Sequence, residues 1–332
     1  PTGRQPSAPP PREGHPVSTT TPEHRSGFAC LVGRPNAGKS TLTNALVGQK
    51  VAITSGRPQT TRHTIRGIVH RPDAQLVLVD TPGLHRPRTL LGERLNDLVR
   101  ETLTEVDVIA FCLPADQKIG PGDRFIANEL AELMRGRRGT PVVAVVTKAD
   151  LVDRGTLAAH LLAVDRLGET AGGWADIVPV SAQDGYQVDV LTDVLVSHLP
   201  EGPELYPGGE LTDEPEAVMV AELVREAALE GVRDELPHSL AVQVEEIVPR
   251  EGSGDEATGR PPLLDVRVNL FVERDSQKAI VIGRGGSRLR EVGTRARHGI
   301  EALLGARVYL DLHVKVAKDW QRDPKQLHRL GF

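Results

Sequence analysis

The sequence is poor in residues that several classes of protein require. It contains two cysteines, Cys30 and Cys112, which are too few for a disulfide framework. Both lie in apolar runs, where we expect buried thiols. No apolar run approaches the roughly 18 residues that a membrane-spanning helix needs. The polar, Pro-rich N-terminus lacks the apolar core of a secretory signal. We therefore expect a protein of the reducing cytoplasm.

Charge is distributed unevenly along the chain. The length of 332 residues suggests two domains, each with its own core. The net charge of −5 argues by itself against a nucleic-acid-binding protein. However, residues 263–332 carry 14 Lys and Arg against 8 Asp and Glu, and the rest carry 26 against 37. We interpret this as one acidic module and one that accepts polyanions, with solvated helix faces as the alternative.

The first part of the chain alternates apolar strands with amphipathic helices. Strands that are apolar on both faces, separated by helices, predict a mostly parallel sheet covered on both sides. An edge strand is predicted at 63–70. The other predicted strands are 28–32, 76–79, 106–113, 142–146 and 177–180, and the predicted helices are about 39–48, 89–104, 122–135, 156–170 and 187–198.

Composition shifts mark the proposed boundaries. Residues 1–26 are rich in Pro, Ser and Thr and predict a disordered tail. The first domain is expected at 27–200 and a Pro/Gly/acidic linker at 201–215. Residues 216–332 then predict an α-β-β-α-α-β order, with strands at 239–248, 263–272 and 307–316. A Gly/Pro-rich excursion at 249–262 has no assigned role.

A phosphate-binding loop follows the first strand. Residues 33–40 read GRPNAGKS and match G-x-x-x-x-G-K-[ST]. Glycines let successive backbone N–H groups surround phosphate oxygens, and the helix that begins here points its positive end at the anion. Lys39 is expected between the β- and γ-phosphates, and Ser40 on Mg²⁺. The predicted phosphate-binding residues are Gly33, Arg34, Pro35, Asn36, Ala37, Gly38, Lys39, Ser40 and Thr41.

Two motifs at later strand ends complete the phosphate and base contacts. In Asp80-Thr81-Pro82-Gly83, Asp80 can hold Mg²⁺ through water, and the Gly83 N–H can reach the γ-phosphate. Thr147-Lys148-Ala149-Asp150 corresponds to [NT]-K-x-D. Asp150 can accept hydrogen bonds from guanine N1–H and N2–H₂, which adenine cannot supply, and Lys148 would cover the base.

A fourth motif, Ser181-Ala182, follows another strand and offers a backbone N–H to guanine O6. Each short motif is weak alone. The required order, with every motif at the carboxyl end of a strand, predicts GTP or GDP as the nucleotide. The predicted nucleotide contacts also include Thr81, Pro82 and Leu84.

Hydrolysis needs a different device from that of Ras-like proteins, which use a glutamine after the glycine of D-x-x-G. Leu84 stands at that position here and cannot orient water. The phosphate-binding loop, the segment Gln59-Thr60-Thr61-Arg62 and the run Asp80–His85 together resemble the Era family of bacterial GTPases. The resemblance covers roughly residues 27–331, including Leu236-Pro237-His238-Ser239.

The resemblance implies how the site works. Asn36 matches an asparagine that holds K⁺ and so supplies positive charge at the transition state; a loop-stabilising side chain is the alternative. Thr60 or Thr61, with Thr61 preferred, is expected to close over Mg²⁺ when the γ-phosphate is present. The expected catalytic residues are Lys39, Asn36, Thr61, Asp80 and Gly83.

The C-terminal part carries an RNA-binding signature. Residues 280–289 (IVIGRGGSRL) fit the KH motif V-I-G-x-x-G, although any tight helix–helix turn can produce G-x-x-G. The α-β-β-α-α-β order, the local positive charge and the arginines after the turn favour KH. Aromatic residues are scarce here, so backbone clamping and apolar groove contacts should dominate. The predicted RNA-binding residues are Ile282, Gly283, Arg284, Gly285, Gly286, Ser287, Arg288 and Arg290; Arg295 and Arg297 follow them.

The predicted fold is thus an α/β P-loop GTPase domain with a mostly parallel sheet, followed by an α+β type II KH domain. The resemblance implies a monomeric factor for maturation of the small (30S) ribosomal subunit. It also implies binding of the single-stranded 3′ end of 16S rRNA and, in some members, peripheral association with the inner membrane. One alternative is another ribosome-associated GTPase with tandem G domains, disfavoured by the single P-loop. A second is a membrane-surface signalling switch whose basic end binds protein or anionic lipid.

Overall fold

The computed structural model describes residues 24–54, 61–135, 139–230, 239–250, 252–253 and 262–332. The first domain is built on a six-stranded sheet with the order β2-β3-β1-β4-β5-β6. All neighbouring strands are parallel except β2 and β3. Its elements are β1 (Arg25–Gly33), α1 (Lys39–Val47), β2 (Ile65–His70), β3 (Ala74–Asp80), α2 (Leu90–Glu105), β4 (Val108–Pro114), α3 (Pro121–Arg135), β5 (Val142–Thr147), α4 (Arg154–Ala171), β6 (Asp176–Pro179) and α5 (Val188–Ser197).

The sheet is covered on both faces, as its apolar strands predicted. Every residue of β3, β4 and β5 is buried. One core packs α1 and α5 against the sheet, and a second packs α2, α3 and α4 against the opposite face. The predicted α/β class is confirmed. Because β1, β3, β5 and β6 are parallel, the loops that follow them meet at one edge of the sheet.

The second domain is a three-stranded sheet with the order β7-β8-β9, covered on one face by helices. β7 and β8 are antiparallel, whereas β8 and β9 are parallel. The α-β-β-α-α-β order is the one that the sequence predicted. The elements are α6 (Glu216–Leu229), β7 (Ala241–Pro249), β8 (Leu263–Val272), α7 (Asp275–Ile282), α8 (Ser287–Leu304), β9 (Arg307–Val316) and α9 (Pro324–Arg329).

The structure corrects the predicted end of the N-terminal tail, whereas most of the predicted 249–262 excursion lies outside the part of the chain that it describes. The predicted tail reaches residue 26, but Arg25 and Ser26 already belong to β1 and pair with Ala74 and Gln75 of β3. Ser26 also donates its hydroxyl to the carbonyl of Pro203 at 2.6 Å, so polar residues extend this strand through specific partners. Residues 1–23 and most of the 249–262 excursion lie outside the described residues. Within the described ranges, no helix has the length and apolar character needed to cross a membrane.

The C-terminal segment joins the two domains. The Arg62 guanidinium donates to the carbonyl of Leu240 at 2.6 Å and lies 5.5 Å from the centre of the Trp320 ring. Phe332 stacks on Trp320 and on His63, with ring centres 5.7 and 5.0 Å apart. The apolar side chains that pack with these rings come from α2, from β7 and β8, and from α9 and the residue after it: Leu91, Leu95, Ala241, Phe271, Leu327 and Leu330.

Candidate nucleotide and RNA sites

The phosphate-binding loop connects β1 to α1 in a tightly wound conformation. Gly38, the residue before α1, has φ 89°, and Asn36 has φ 63°, both in the left-handed region. The Lys39 ammonium is almost buried and donates to the carbonyls of Gly33 and Arg34 at 3.3 and 3.1 Å. Burial lowers the pKa of Lys39, and the neighbouring Asp80 opposes that shift. A phosphate placed in the loop would supply the negative charge that this buried cation lacks.

Three oxygens converge beside the loop. The Ser40 hydroxyl donates to the Asp80 carboxylate at 2.7 Å and lies 2.9 Å from the Thr61 hydroxyl, which donates to the same carboxylate at 3.3 Å. Asp80 is fully buried, and its Oδ1 has no hydrogen-bond partner among the described residues. Burial raises the pKa of Asp80, while Lys39 acts in the opposite direction. Mg²⁺ prefers oxygen ligands, so this donor set fits Mg²⁺. Thr60 lies outside the described residues.

The loop after β3 passes directly against the phosphate-binding loop. A Cβ on Gly83 would stand 2.6 Å from the backbone nitrogen of Pro35, so only glycine fits. The Thr81 hydroxyl donates to the carbonyl of Leu31 at 2.7 Å, and Pro82 is buried. Leu84 is 2% exposed and packs in the core, with its N–H donating to Gly33. The apolar side chain of Leu84 has no group with which to orient a water molecule.

A cavity of about 320 Å³ opens beside the phosphate-binding loop. Thr147 connects the cavity to the phosphate-binding loop, because its hydroxyl donates to the carbonyl of Ala37 at 2.6 Å. The N–H of Ala149 donates to Val180 and joins the loops after β5 and β6. Lys148, with φ 57°, lies 3.5 Å from Asp116. The lining residues are Gly38, Thr41, Leu42, Thr147, Lys148, Asp150, Leu151, Val180, Ala182 and Gln183.

The two residues of the Ser181-Ala182 motif lie in different environments. The Ser181 N–H donates to the carbonyl of Tyr186 at 3.0 Å, and Ser181 is fully buried. Ala182 borders the cavity, so it is better placed than Ser181 for the guanine O6 contact. The sequence motifs do not include Asp116, the partner of Lys148. Asp116 is the second residue after β4, at the edge of the sheet where the nucleotide motifs lie, and this position could have pointed to it.

Arg34 of the phosphate-binding loop has a structural partner besides its predicted nucleotide contact. Its guanidinium bonds the carboxylate of Asp123 at 2.6 Å, and Asp123 is 1% exposed. The N–H of Gly120 donates to the same carboxylate at 2.8 Å. Arg34 therefore anchors the phosphate-binding loop to the start of α3, a tertiary contact that no motif predicts.

The G-x-x-G turn between α7 and α8 has the backbone that its glycines suggest. Gly283, Gly285 and Gly286 have φ values of 73°, 59° and 77°. A Cβ on Gly283 would lie 2.8 Å from the Cβ of Arg288. Ile282 packs against the domain core, and Ser287 begins α8. A cavity of about 350 Å³ follows the turn between α8 and β9, which we call the groove; it is lined by Gly286, Leu289, Arg290, Gly293, Thr294, Arg297, Val308, Tyr309, Leu310 and Leu312.

The arginines after the turn fall into two groups. Arg288 donates to the carbonyls of Ala228 and Glu230 at 3.1 and 2.7 Å, and Arg295 pairs with the carboxylates of Glu230 and Glu291. A helix leaves its last carbonyls without partners, and Arg288 satisfies them at the end of α6. These bonds give Arg288 a role in packing, and its expected RNA contact stays a prediction. The side chains of Arg284, Arg290 and Arg297, by contrast, make no hydrogen bond or ion pair with any described residue.

Comparisons with known proteins match both domains. A family model described as 50S ribosome-binding GTPase matches residues 28–148, and a KH-domain model matches residues 235–321. GTPase Era of Streptomyces coelicolor is 71% identical, covering 93% of this chain and 95% of its own. GTPase Era of Mycolicibacterium smegmatis is 66% identical, covering 93% and 99%.

Solved structures extend the likeness to three dimensions. A crystal structure of Era in complex with MgGDPNP and nucleotides 1506–1542 of 16S ribosomal RNA has a TM-score of 0.83 and 36% identity, covering 93% of this chain and 99% of that chain. An Aquifex aeolicus Era variant bound to GDP and AlF4− has a TM-score of 0.83 and 35% identity, covering 92% and 99%. With the nucleotide motifs, the KH turn and full-length relatives in agreement, this chain belongs to the Era family of GTPases.

Proposed function

We propose that this chain hydrolyses GTP to GDP and phosphate and holds the single-stranded 3′ end of 16S rRNA in its groove during assembly of the 30S subunit. The observation that carries this proposal is the presence of two sites of different chemistry in one chain. One is the mutually bonded Ser40–Thr61–Asp80 set beside the buried Lys39, and the other is the groove with arginine side chains that have no ion-pair partner among the described residues. The related Era structure contains MgGDPNP and 16S rRNA together.

In the nucleotide site, the chain's own groups neutralise and orient the phosphates. Lys39 would exchange its two carbonyl partners for β- and γ-phosphate oxygens, and the N–H of Gly83 would reach the γ-phosphate. Mg²⁺, when bound by Ser40, Thr61 and Asp80, supplies positive charge to the phosphates. Asp150 would select guanine by accepting from its N1–H and N2–H₂ groups.

Potassium is proposed as an additional source of positive charge. Leu84 is buried and supplies no water-orienting group. A cation near the transferring phosphate then has to stabilise the charge that develops in the transition state. Asn36 is exposed in the phosphate-binding loop, at the position where the family resemblance implies a K⁺ ligand.

The nucleotide state is proposed to gate the RNA-binding domain through neighbouring residues. Thr61 is bonded to Asp80 at the Mg²⁺ site, and Arg62 holds Leu240 and Trp320 of the second domain. A shift of Thr61 after loss of the γ-phosphate would therefore pull on this interdomain contact. Arg62 is 1% exposed, so it cannot move without disturbing its partners.

A double substitution tests the proposal. Replacing Arg284 and Gly285 by Asp (Arg284→Asp with Gly285→Asp) places two carboxylates where RNA phosphates must approach. Gly285 has φ 59°, which Asp tolerates better than most residues, and a Cβ there meets nothing within 4 Å. We expect loss of binding to a 16S 3′-end oligonucleotide with unchanged GTP affinity on the same preparation. Unchanged RNA affinity would refute the KH assignment.

The proposed location is the cytoplasm, with peripheral association at the inner face of the membrane. The exposed Arg290 and Arg297 on α8 also suit anionic lipid, which keeps a membrane-surface GTPase as a second candidate. RNA pull-down and vesicle flotation, each at two salt concentrations, separate the candidates. Flotation with anionic vesicles in the absence of RNA binding would favour the second.

A further inference from the structure

Tyr309 stands out in a chain with 3% aromatic residues. It lies near the start of β9 and lines the groove, and it is 53% exposed. Its neighbours Val308 and Leu310 pack into the domain core, whereas Tyr309 does not belong to that core. Alternation along β9 therefore turns the Tyr309 side chain to the sheet face opposite the helices, on a strand that borders the groove, and the exposed ring there is available to a ligand.

A second residue holds this ring in place. Arg250 donates to both oxygens of the Asp265 carboxylate at 3.1 and 2.5 Å, and Asp265 is the β8 residue that pairs with Tyr309. The guanidinium carbon of Arg250 lies 4.8 Å from the centre of the Tyr309 ring. A cation held by a bidentate carboxylate therefore covers one face of the ring and limits its motion.

The position of β9 explains how RNA would reach the ring. Among the described strands β9 is the edge of its sheet, because it pairs with β8 alone. The opposite wall of the groove carries Arg290 and Arg297, which make no ion pair with a described residue. A strand of RNA whose phosphates follow these arginines would pass its bases along β9, and a base that reaches past this edge strand would meet the Tyr309 ring.

We infer that Tyr309 is a base-stacking residue of this groove, with Arg250 as its positioning residue. This inference rests on the proposed RNA-binding function. The ligand is an unpaired base of single-stranded RNA. Stacking on a ring is tolerant of sequence because every base has a flat face, so Tyr309 adds affinity at one nucleotide while the groove sets preference elsewhere.

Affinity for a 16S 3′-end oligonucleotide tests the inference. Tyr309→Ala should weaken binding about 5- to 100-fold, whereas Tyr309→Phe and Tyr309→Trp should bind nearly as the parent does. His313→Ala is the matched control, since His313 is an exposed residue of the same strand that does not line the groove. Tyr309→Ala should leave the salt dependence of binding unchanged, because it removes no cation.

Fluorescence locates the contact. With 2-aminopurine replacing one base at a time, the parent and Tyr309→Phe should quench the fluorescence of the probe at one position. Tyr309→Ala should leave the fluorescence at that position unquenched. Arg250→Ala should weaken this quenching while the melting temperature of the protein stays close to that of the parent. Arg250→Lys should restore part of the quenching.

The outcomes separate the stacking inference from the proposed function. Parent-like binding by Tyr309→Ala, with binding lost in the Arg284→Asp/Gly285→Asp variant, would overturn the stacking role alone. Parent-like binding by both would overturn the RNA function. A loss in Tyr309→Phe equal to that in Tyr309→Ala would assign the contact to the hydroxyl and contradict stacking. Thermal melting of each preparation verifies that the second domain of the variants is folded, and GTP affinity verifies the same for the first domain.

Discussion

The nucleotide site and the groove differ in how far the protein satisfies their polar groups by itself. In the nucleotide site, Ser40, Thr61 and Asp80 bond one another, and Lys39 bonds two carbonyls. In the groove, the guanidinium groups of Arg290 and Arg297 have no hydrogen-bond or ion-pair partner among the described residues. A mutually bonded set that is mostly buried suits one small ligand of fixed shape. Unpartnered surface cations suit a flexible polyanion, whose binding falls steeply with salt.

The first prediction, with the largest expected effect, concerns the base cavity. Asp150→Asn should weaken GTP binding at least about 100-fold, because the carboxylate accepts two charge-assisted hydrogen bonds from guanine. Binding of xanthosine triphosphate should improve, since its C2 oxygen can accept from the new amide. Nucleotide affinities measured by titration with both bases check this.

Asp153→Asn is the matched control for this prediction. Asp153 caps α4 by accepting from Gly155 and Thr156, and asparagine caps a helix equally well. The control should bind GTP as the parent does. Parent-like GTP affinity in Asp150→Asn as well would remove Asp150 from base recognition.

A second prediction concerns the cation. Turnover should be about 10- to 100-fold faster in potassium chloride than in sodium chloride at matched ionic strength. This acceleration is smaller than the about 10³- to 10⁵-fold acceleration of hydrolysis that an arginine finger supplies in other GTPases. Asn36→Asp should change this ratio with little strain, since Asp tolerates the left-handed conformation at φ 63°. Phosphate release in the two salts is the measurement, and equal rates would contradict the potassium model.

A third prediction concerns communication between the sites. Arg62→Ala should reduce the effect of nucleotide on RNA affinity, which is expected at about 5- to 150-fold for a typical allosteric coupling. RNA affinity is measured with GDP and with a non-hydrolysable GTP analogue. Arg66→Ala is the control, because Arg66 forms an exposed pair with Asp213 in the interdomain segment. An unchanged ratio in Arg62→Ala would mean that coupling travels by another route.

The fourth prediction has the smallest effect and separates the two groups of arginines. Arg290→Ala should weaken RNA binding several-fold and lower the salt slope by about 1. Arg288→Ala should leave that slope unchanged and reduce the free energy of unfolding by about 1–3 kcal/mol, since it strands carbonyls at the end of α6. Salt titrations and denaturant melts of both variants check this. Equal slopes for the two variants would remove the distinction between them.

The nucleotide site was largely predictable from the sequence, because a short motif marks each strand end and the parallel sheet brings those ends together. The sequence also showed that Leu84 cannot orient water, whereas its burial in the core is a finding of the structure. The role of Arg288 was not predictable. Its partners Ala228 and Glu230 lie about 60 residues away and are brought near only by helix packing.

Tertiary contacts also explain the other differences. Ser26 enters β1 because Pro200 and Pro203 bring acceptors to it, and Ser181 turns its N–H to Tyr186 instead of the cavity. The scarcity of aromatic residues argued against base stacking, yet it gave no sign that Tyr309 would stand at the mouth of the groove. Composition describes how many rings there are, and packing decides where they stand.

The central claim, that this GTPase holds the 16S 3′ end in its groove, is tested most directly by crosslinking in cells. Ultraviolet crosslinking followed by mapping of both protein and RNA should join residues of the groove to single-stranded nucleotides at the 3′ end of 16S rRNA. The Arg284→Asp/Gly285→Asp variant should lose these crosslinks at equal protein level. Crosslinks confined to the first domain, or to RNAs other than 16S, would contradict the account.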